Sequence, residues 1–295
     1  MLITMKELLK VASEHHFTIG AFNVTEVSNF KCVFETAEEL QAPTIIAVAA
    51  NELDFCEKEY YQYVREKLMN SQVPYCLHLD HGRSLQDCLR AIQAGFTSVM
   101  FDGSHLPYEE NVAQTKAIAQ IAHCINVSVE GELGTIGNTG NSDEGGADIV
   151  YTQPEEVVDY VAKTGVDTLA IAIGTSHGLY PEGFKPVLQL DLLKRIRAVS
   201  DIPLVLHGGS GQDDEQVRQA SKIGIQKINV ASEYKAAYSY ELNRIITETK
   251  DFKFAITMPK AMAAAKAVVA HKMNVFGCID KAYLYYENLR RGEEA

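Results

Sequence analysis

The sequence lacks any apolar run near the roughly 20 residues that a membrane-spanning helix needs. The best candidates, 42–50 and 202–206, are far too short. Lys6, Glu7 and Lys10 interrupt the apolar N-terminus, so no signal peptide is expected and the cytoplasm is the expected compartment. No C-x-x-C pair occurs among the six scattered cysteines, Cys32, Cys56, Cys76, Cys88, Cys124 and Cys278. In a chain of this size that pattern reads as thiols in a reducing compartment, with no disulfide frame. A basic surplus is also missing. Lysine and arginine number 27 against 39 acids, a formal charge of −12, which argues against a nucleic-acid binder. It does not exclude anionic small substrates, which metal ions, backbone amides and helix N-termini attract locally. There is no repeat, no low-complexity segment and no linker, so residues 1–295 are expected to form one domain.

Short β-rich runs alternate with amphipathic stretches. Strands are predicted at 19–24, 43–49, 75–80, 98–102, 127–133, 168–173, 203–207 and 225–230. Helices are predicted at 26–40, 85–94, 109–122, 154–164, 190–199, 213–222 and 232–249, with Gly95, Gly165 and Gly224 stopping three of them. Such alternation implies parallel strands with crossover helices. About eight units in 295 residues favour a closed (β/α)8 TIM barrel of the α/β class. An extra helix at 259–273 lies beyond the eighth unit. The Gly-, Asn-, Ser- and Asp-rich stretch 132–151 is too long for an ordinary barrel loop and reads as a lid.

Barrel active sites form at the C-terminal ends of strands. Those ends read His78-Leu79-Asp80-His81-Gly82, Asp102-Gly103-Ser104-His105, Glu130-Gly131-Glu132, Gly174-Thr175-Ser176-His177-Gly178, His207-Gly208-Gly209-Ser210-Gly211 and Asn229-Val230-Ala231-Ser232. His81, His177 and His207 come from different strand ends and can meet around one ion, leaving a position open for a substrate oxygen. Spacing alone does not choose among zinc, cobalt and iron. Asp80 can shuttle a proton or orient a histidine. Asp102 and Glu132 can bind a second cation, fix the histidines, or serve as caps or internal ion pairs. The glycine-rich segment at 208–211 and the segment 229–232 precede helices in adjacent units, where barrels often bind phosphate. Lys227 alternates with Asn229 and can face inward, which keeps a Schiff-base mechanism open beside a structural role.

The segments H-L-D-H-G, G-T-S-H-G-L-Y, V-L-H-G-G-S-G and I-N-V-A-S, in this order, resemble the zinc-dependent class II ketose-bisphosphate aldolases, which include the fructose-1,6- and tagatose-1,6-bisphosphate enzymes. The likeness runs from A-F-N-V to about Tyr240. It implies that His81, His177 and His207 hold a catalytic zinc, and that Asp102 and Glu132 match second or alternate metal positions. It implies that Asp80 exchanges the proton of the aldehyde-derived hydroxyl. Gly178, Gly208, Gly209, Ser210, Asn229, Val230, Ala231 and Ser232 would hold dihydroxyacetone phosphate with help from a monovalent cation, Na+ or K+, and Asn23 would touch the substrate. Asp143 or Glu144 in the loop would serve the ketose-derived carbon. The expected assembly is a homodimer or homotetramer, with no nucleic-acid or membrane partner. A ketose 1,6-bisphosphate is the expected substrate. The alternatives are another phosphorylated ketose, as in the inositol-catabolic type, and a non-catalytic sugar-phosphate-binding or regulatory subunit.

Three departures concern the far half of the substrate. The second strand-end segment reads Ala47-Val48-Ala49-Ala50-Asn51, without the serine the family usually carries. Phe252 to Lys260 replaces an Asp-Pro-Arg tract, leaving lysine as a point charge without arginine's bidentate fork. The loop reads Gly137-Asn138-Thr139-Gly140-Asn141-Ser142 instead of a shorter glycine-acid run.

Overall fold

The structure, a computed structural model, describes residues 1–140, 145–146, 148–184 and 186–286. Its strands in chain order are β1 (Ile19–Asn23), β2 (Thr44–Ala49), β3 (Tyr75–Gly82), β4 (Ser98–Phe101), β5 (Ser128–Leu133), β6 (Gly137–Asn138), β7 (Thr168–Ile171), β8 (Ser176–His177), β9 (Leu204–Leu206) and β10 (Ile225–Val230). The helices are α1 (Met5–Glu14), α2 (Val27–Leu40), α3 (Ala50–Phe55), α4 (Lys58–Met69), α5 (Leu85–Gln93), α6 (Tyr108–His123), α7 (Pro154–Thr164), α8 (Leu190–Val199), α9 (Asp214–Ile223), α10 (Ser232–Thr249) and α11 (Phe254–Phe276).

Eight strands close a barrel in the order β1-β10-β9-β7-β5-β4-β3-β2. Every pairing is parallel, so the crossover helices cover the outside. The predicted (β/α)8 architecture is therefore the observed one. Strands β2, β7 and β9 read as near-continuous apolar runs, because one face meets the helices and the other fills the barrel, whereas β3, β5 and β10 alternate apolar residues with polar ones. Local chemistry sets the helix ends. Gly165 at φ 72° closes α7 in a left-handed conformation that glycine adopts without penalty. Asp213 caps α9 by accepting from the Glu215 and Gln216 amides.

Period-two alternation puts His78 with Asp80, Glu130 with Glu132, and Lys227 with Asn229 on single strand faces. Their mutual contacts show that this face is the barrel interior. The apolar core is mostly the outer layer between strands and helices, and each fully buried leucine there contributes about 1.5–3 kcal/mol.

Helix α1 was absent from the predicted elements. It packs against β3, β5 and β10 near their N-terminal ends, with Met5, Leu8, Leu9 and Ala12 fully buried. Helices α3 and α4 also lay outside the prediction; in α4, Tyr60, Tyr61 and Tyr63 give an aromatic content unlike a strong helix former's. The C-terminal helix begins at Phe254, not 259. Pro259 lies inside it and reads in sequence as a first-turn residue. Helix α11 packs on α10, α2, α9 and β1. No described helix is long and apolar enough to cross a membrane.

Candidate active site

Barrel closure brings the predicted strand ends to one mouth. One nitrogen each from His81, His177 and His207 lies within 4.8 Å of the others. The His81 ring sits 4.5 Å from that of His207 and 4.9 Å from that of His177, centre to centre. His81 reaches this position through a local distortion. The β3–β4 register shifts between Leu79 and Gly82, and His81 itself adopts φ 45°. A non-glycine residue there stores about 1–3 kcal/mol, which the surrounding contacts must outweigh. Gly82 follows by necessity, since a Cβ would meet the Met100 carbonyl at 2.4 Å.

His177 arrives by a different device. Strand β8 pairs with β6 outside the barrel, and the His177 carbonyl accepts from the Thr139 amide at 3.0 Å and the Thr139 hydroxyl at 2.8 Å. The first part of the long loop is thereby stapled to the strand carrying a candidate ligand.

Carboxylates hold the outer nitrogens of two histidines. Asp102 Oδ2 lies 2.8 Å from His81 Nδ1, and Glu130 Oε1 lies 2.9 Å from His207 Nε2. An ionised carboxylate only accepts, so these contacts place the protons on the outer nitrogens. The inner nitrogens, His81 Nε2 and His207 Nδ1, face each other at 2.9 Å. Two lone pairs at that distance repel unless a cation or a proton lies between them. Burial pushes the His177 and His207 imidazoles towards their neutral form, as a metal ligand requires.

The adjacent carboxylates fit a cation as well. His81, Asp102 and Glu132 bring donor atoms within 4.8 Å of one another. Glu132 Oε2 is buried with no hydrogen-bond partner among the described residues. Burial, reinforced by the Asp102 charge, pushes its carboxyl well above the usual range. Asp102 goes the other way. Burial would raise it, but the His81 contact and the Ser104 hydrogen bonds hold it below the ordinary value. The donor set of imidazoles with carboxylates suits zinc.

Asp80 is buried beside the triad, 3.8 Å from His207 Nδ1. Asn23 Nδ2 donates to one of its oxygens at 2.7 Å and Asn229 Nδ2 to the other at 2.9 Å. Burial opposes its charge, yet His81, His207 and Lys227 together hold its carboxyl below the ordinary range. Tyr234 donates its hydroxyl to the Asn23 carbonyl and anchors that end of β1.

Two cavities flank these groups. The smaller is lined by Asn23, Asp80, His177, Gly178, Gly208, Ser210, Asn229, Ala231 and Ser232, nearly the predicted substrate set. Val230 is buried in the outer core, and Gly209 packs with no room for a Cβ against Ile228 and the Asn229 carbonyl. Ala231 gives the N-terminus of α10 no side-chain cap of its own, and Ser210 Oγ accepts from the Glu233 amide at 3.3 Å beside this cavity. The larger cavity, about 460 Å³, is lined in part by Asn51, His81, Arg83, Asp102, Ser104, His105 and Thr135. Asn51, Arg83 and Thr135 were not among the predicted site residues, although Arg83 follows a strand-end motif by one residue. Asp143 and Glu144 lie outside the described residues. A groove of about 540 Å³ beside α4 and α5 is lined by neither histidine nor carboxylate and shares no lining residue with either of these cavities.

The sequence profile of the class II fructose-bisphosphate aldolases matches residues 3–281. The 6-phospho-5-dehydro-2-deoxy-D-gluconate aldolase of Bacillus licheniformis is 40% identical over 285 residues, covering 95% of this chain and 96% of that one. The D-tagatose-1,6-bisphosphate aldolase subunit GatY of Klebsiella oxytoca is 39% identical over 282 residues, covering 94% and 98%. The crystal structure of the YdjI aldolase from Escherichia coli K12 superposes with a TM-score of 0.84 at 30% identity, covering 96% of this chain and all of that one. Sequence, barrel and mouth chemistry thus agree along nearly the whole chain, which is a carbon–carbon lyase of the class II fructose-bisphosphate aldolase family.

Proposed function

We propose that this chain reversibly cleaves a phosphorylated ketose to dihydroxyacetone phosphate and an aldehyde, with a ketose 1,6-bisphosphate (fructose or tagatose) as substrate. The carrying observation is a buried carboxylate, Asp80, held by two amides beside three converging imidazoles. His81, His177 and His207 would hold a catalytic zinc, the metal typical of the family, and Asp102 and Glu132 a second or alternate position. Bound there, zinc supplies Lewis-acid polarisation of the substrate carbonyl.

The chain's own residues move the protons. Asp80 accepts the proton of the hydroxyl whose carbon becomes the aldehyde. The carbon–carbon bond then breaks, and its electron pair stays on the ketose-derived carbon. Asp143 or Glu144 returns a proton to that carbon, and the reverse reaction runs the same transfers backwards. Asn23 and Asn229 hold Asp80 in the orientation this requires. Gly178, Gly208, Ser210, Ala231 and Ser232 line the end that would take the phosphate, with Na+ or K+ as counterion.

A second reading has its own support. In the larger cavity Arg83 is the one lysine or arginine among the described lining residues, and Asp54 and Asp87 already engage it. Neither Lys253 nor Lys260 lines that cavity. A carboxylate at the far end of the substrate demands less positive charge than a phosphate dianion. This favours a substrate like 6-phospho-5-dehydro-2-deoxy-D-gluconate, whose cleavage gives dihydroxyacetone phosphate and a semialdehyde acid. A neighbouring copy in a homodimer or homotetramer supplying a cation would restore the bisphosphate reading.

The test is a coupled assay of the purified chain, alone, on all three ketose phosphates. A chelator should abolish cleavage, zinc or cobalt should restore it, and borohydride with substrate should leave the enzyme active. Full activity in metal-free protein would remove the mechanism. Failure of the zinc-loaded chain on every substrate would favour a non-catalytic subunit.

A further inference from the structure

Beneath the histidine triad lies a buried polar chain that the cleavage chemistry does not use. Lys227 Nζ is fully enclosed in the barrel interior. It donates to Glu130 Oε1 at 2.9 Å and Oε2 at 2.7 Å, and to His78 Nε2 at 3.2 Å. His78 Nδ1 in turn meets the Ser98 hydroxyl at 2.9 Å. Glu130 Oε1 also accepts from His207 Nε2. Lys227, Glu130 and His207 come from β10, β5 and the C-terminal end of β9, and His78 and Ser98 from β3 and β4, so only the closed barrel assembles them.

We propose that Lys227 is a positioning residue: with Glu130 it fixes the tautomer of His207, and so dictates that His207 binds the metal ion through Nδ1. A carboxylate clamped by an ammonium is acceptor-only, so the nitrogen facing it must carry the proton. The lone pair is thereby forced onto Nδ1, the atom 2.9 Å from His81 Nε2 at the mouth. Lys227 locks the carboxylate in plane by holding both of its oxygens. A lysine so enclosed has no open path to a substrate carbonyl, and the structure assigns it to orientation instead of Schiff-base chemistry. The inference rests on the zinc site proposed above.

The test measures metal affinity and geometry as well as turnover. Metal-stripped wild type and Lys227→Met are titrated with zinc against a chromophoric chelator. Both are then loaded with cobalt, and the visible absorption of the bound ion is recorded. Loss of a group that orients a ligand histidine should weaken zinc binding by about 10–100-fold and alter the cobalt spectrum. Lys227→Met/Glu130→Gln removes both buried charges but keeps an amide oxygen able to accept from His207 Nε2, and should regain most of the affinity. Lys227→Met/Glu130→Met has no acceptor and should not. If the single variant fails to fold, the two charge-free double variants decide the question between them. Leu8→Ala, buried in α1 at the far end of the barrel, serves as a destabilised control and should bind zinc normally. Equal affinity and an identical cobalt spectrum across the variants would overturn the relay while leaving the zinc site intact. A wild type that takes up no zinc would overturn both.

Discussion

Replacing Asp80 by asparagine separates proton transfer from architecture. The side chain keeps its shape, and Asp80 lies outside the histidine triad, so zinc content should hold at the wild-type level. In the wild type both oxygens accept from amides, at 2.7 Å from Asn23 and 2.9 Å from Asn229. An asparagine offers one oxygen and one NH2 group, so one of those contacts becomes donor against donor. A buried group left unsatisfied in this way costs about 1–3 kcal/mol of stability, partly offset because a buried charge disappears. Turnover should fall much further. A positioned general base contributes about 10²–10⁴-fold, which corresponds to roughly 3–5 kcal/mol of barrier. The assay pairs kcat for cleavage with exchange of solvent deuterium into dihydroxyacetone phosphate. Exchange concerns a proton on the ketose-derived carbon, served by the loop acid, so it should survive while cleavage collapses. Near-normal turnover would reject Asp80 as the base. Cleavage and exchange falling in parallel would show instead that Asp80 merely orders the site.

Gly209→Ala should destabilise the fold by about 1–3 kcal/mol, as overpacking does, because the new methyl would lie 2.4 Å from Ile228 Cγ2 and 2.7 Å from the Asn229 carbonyl oxygen; an unchanged Tm would contradict the packing described for the segment 208–210. Burial pushes the His78 imidazole down to about 3, so the folded state resists a proton that the unfolded chain binds below its ordinary value of 6.5. Folding stability of the metal-free protein should therefore fall as pH drops from 6.5 towards 3, and denaturant titrations of His78→Gln should show a shallower decline over that window. Cys124 is exposed, whereas burial pushes the Cys76, Cys88 and Cys278 thiols up to about 12; an aromatic disulfide reagent at pH 8 should label Cys124 quickly, and these three only as the protein unfolds.

The strand ends were legible because parallel strands covered on both faces print their periodicity and their breakers directly into the chain. His81, His177 and His207 were found there, and closure of the barrel put their rings together. The role of Glu130 was not legible. Its neighbour Glu132 drew attention in the same motif, yet Glu130 earns its contact with His207 only because β5, β7 and β9 pair in this register. The left-handed backbone of His81 was equally hidden, since it arises from the register shift between β3 and β4. Helix α1 was not predicted although the sequence carries its start signal, the Thr4 and Glu7 capping box; what lay hidden was that strands far along the chain bury its apolar face.

The sequence by itself determined the alternation of strands and helices, the residue types at each strand end, and the order of motifs that marks the family. Hydrophobic period, capping residues and glycines act over a few positions, so one dimension suffices to read them. Only the tertiary structure decided which nitrogens of His81 and His207 face their partners, that Asp80 hangs between Asn23 and Asn229, and that Lys227 lies beneath the site instead of in it. Those facts rest on contacts between residues as many as 149 positions apart, and such contacts exist only once the barrel has closed.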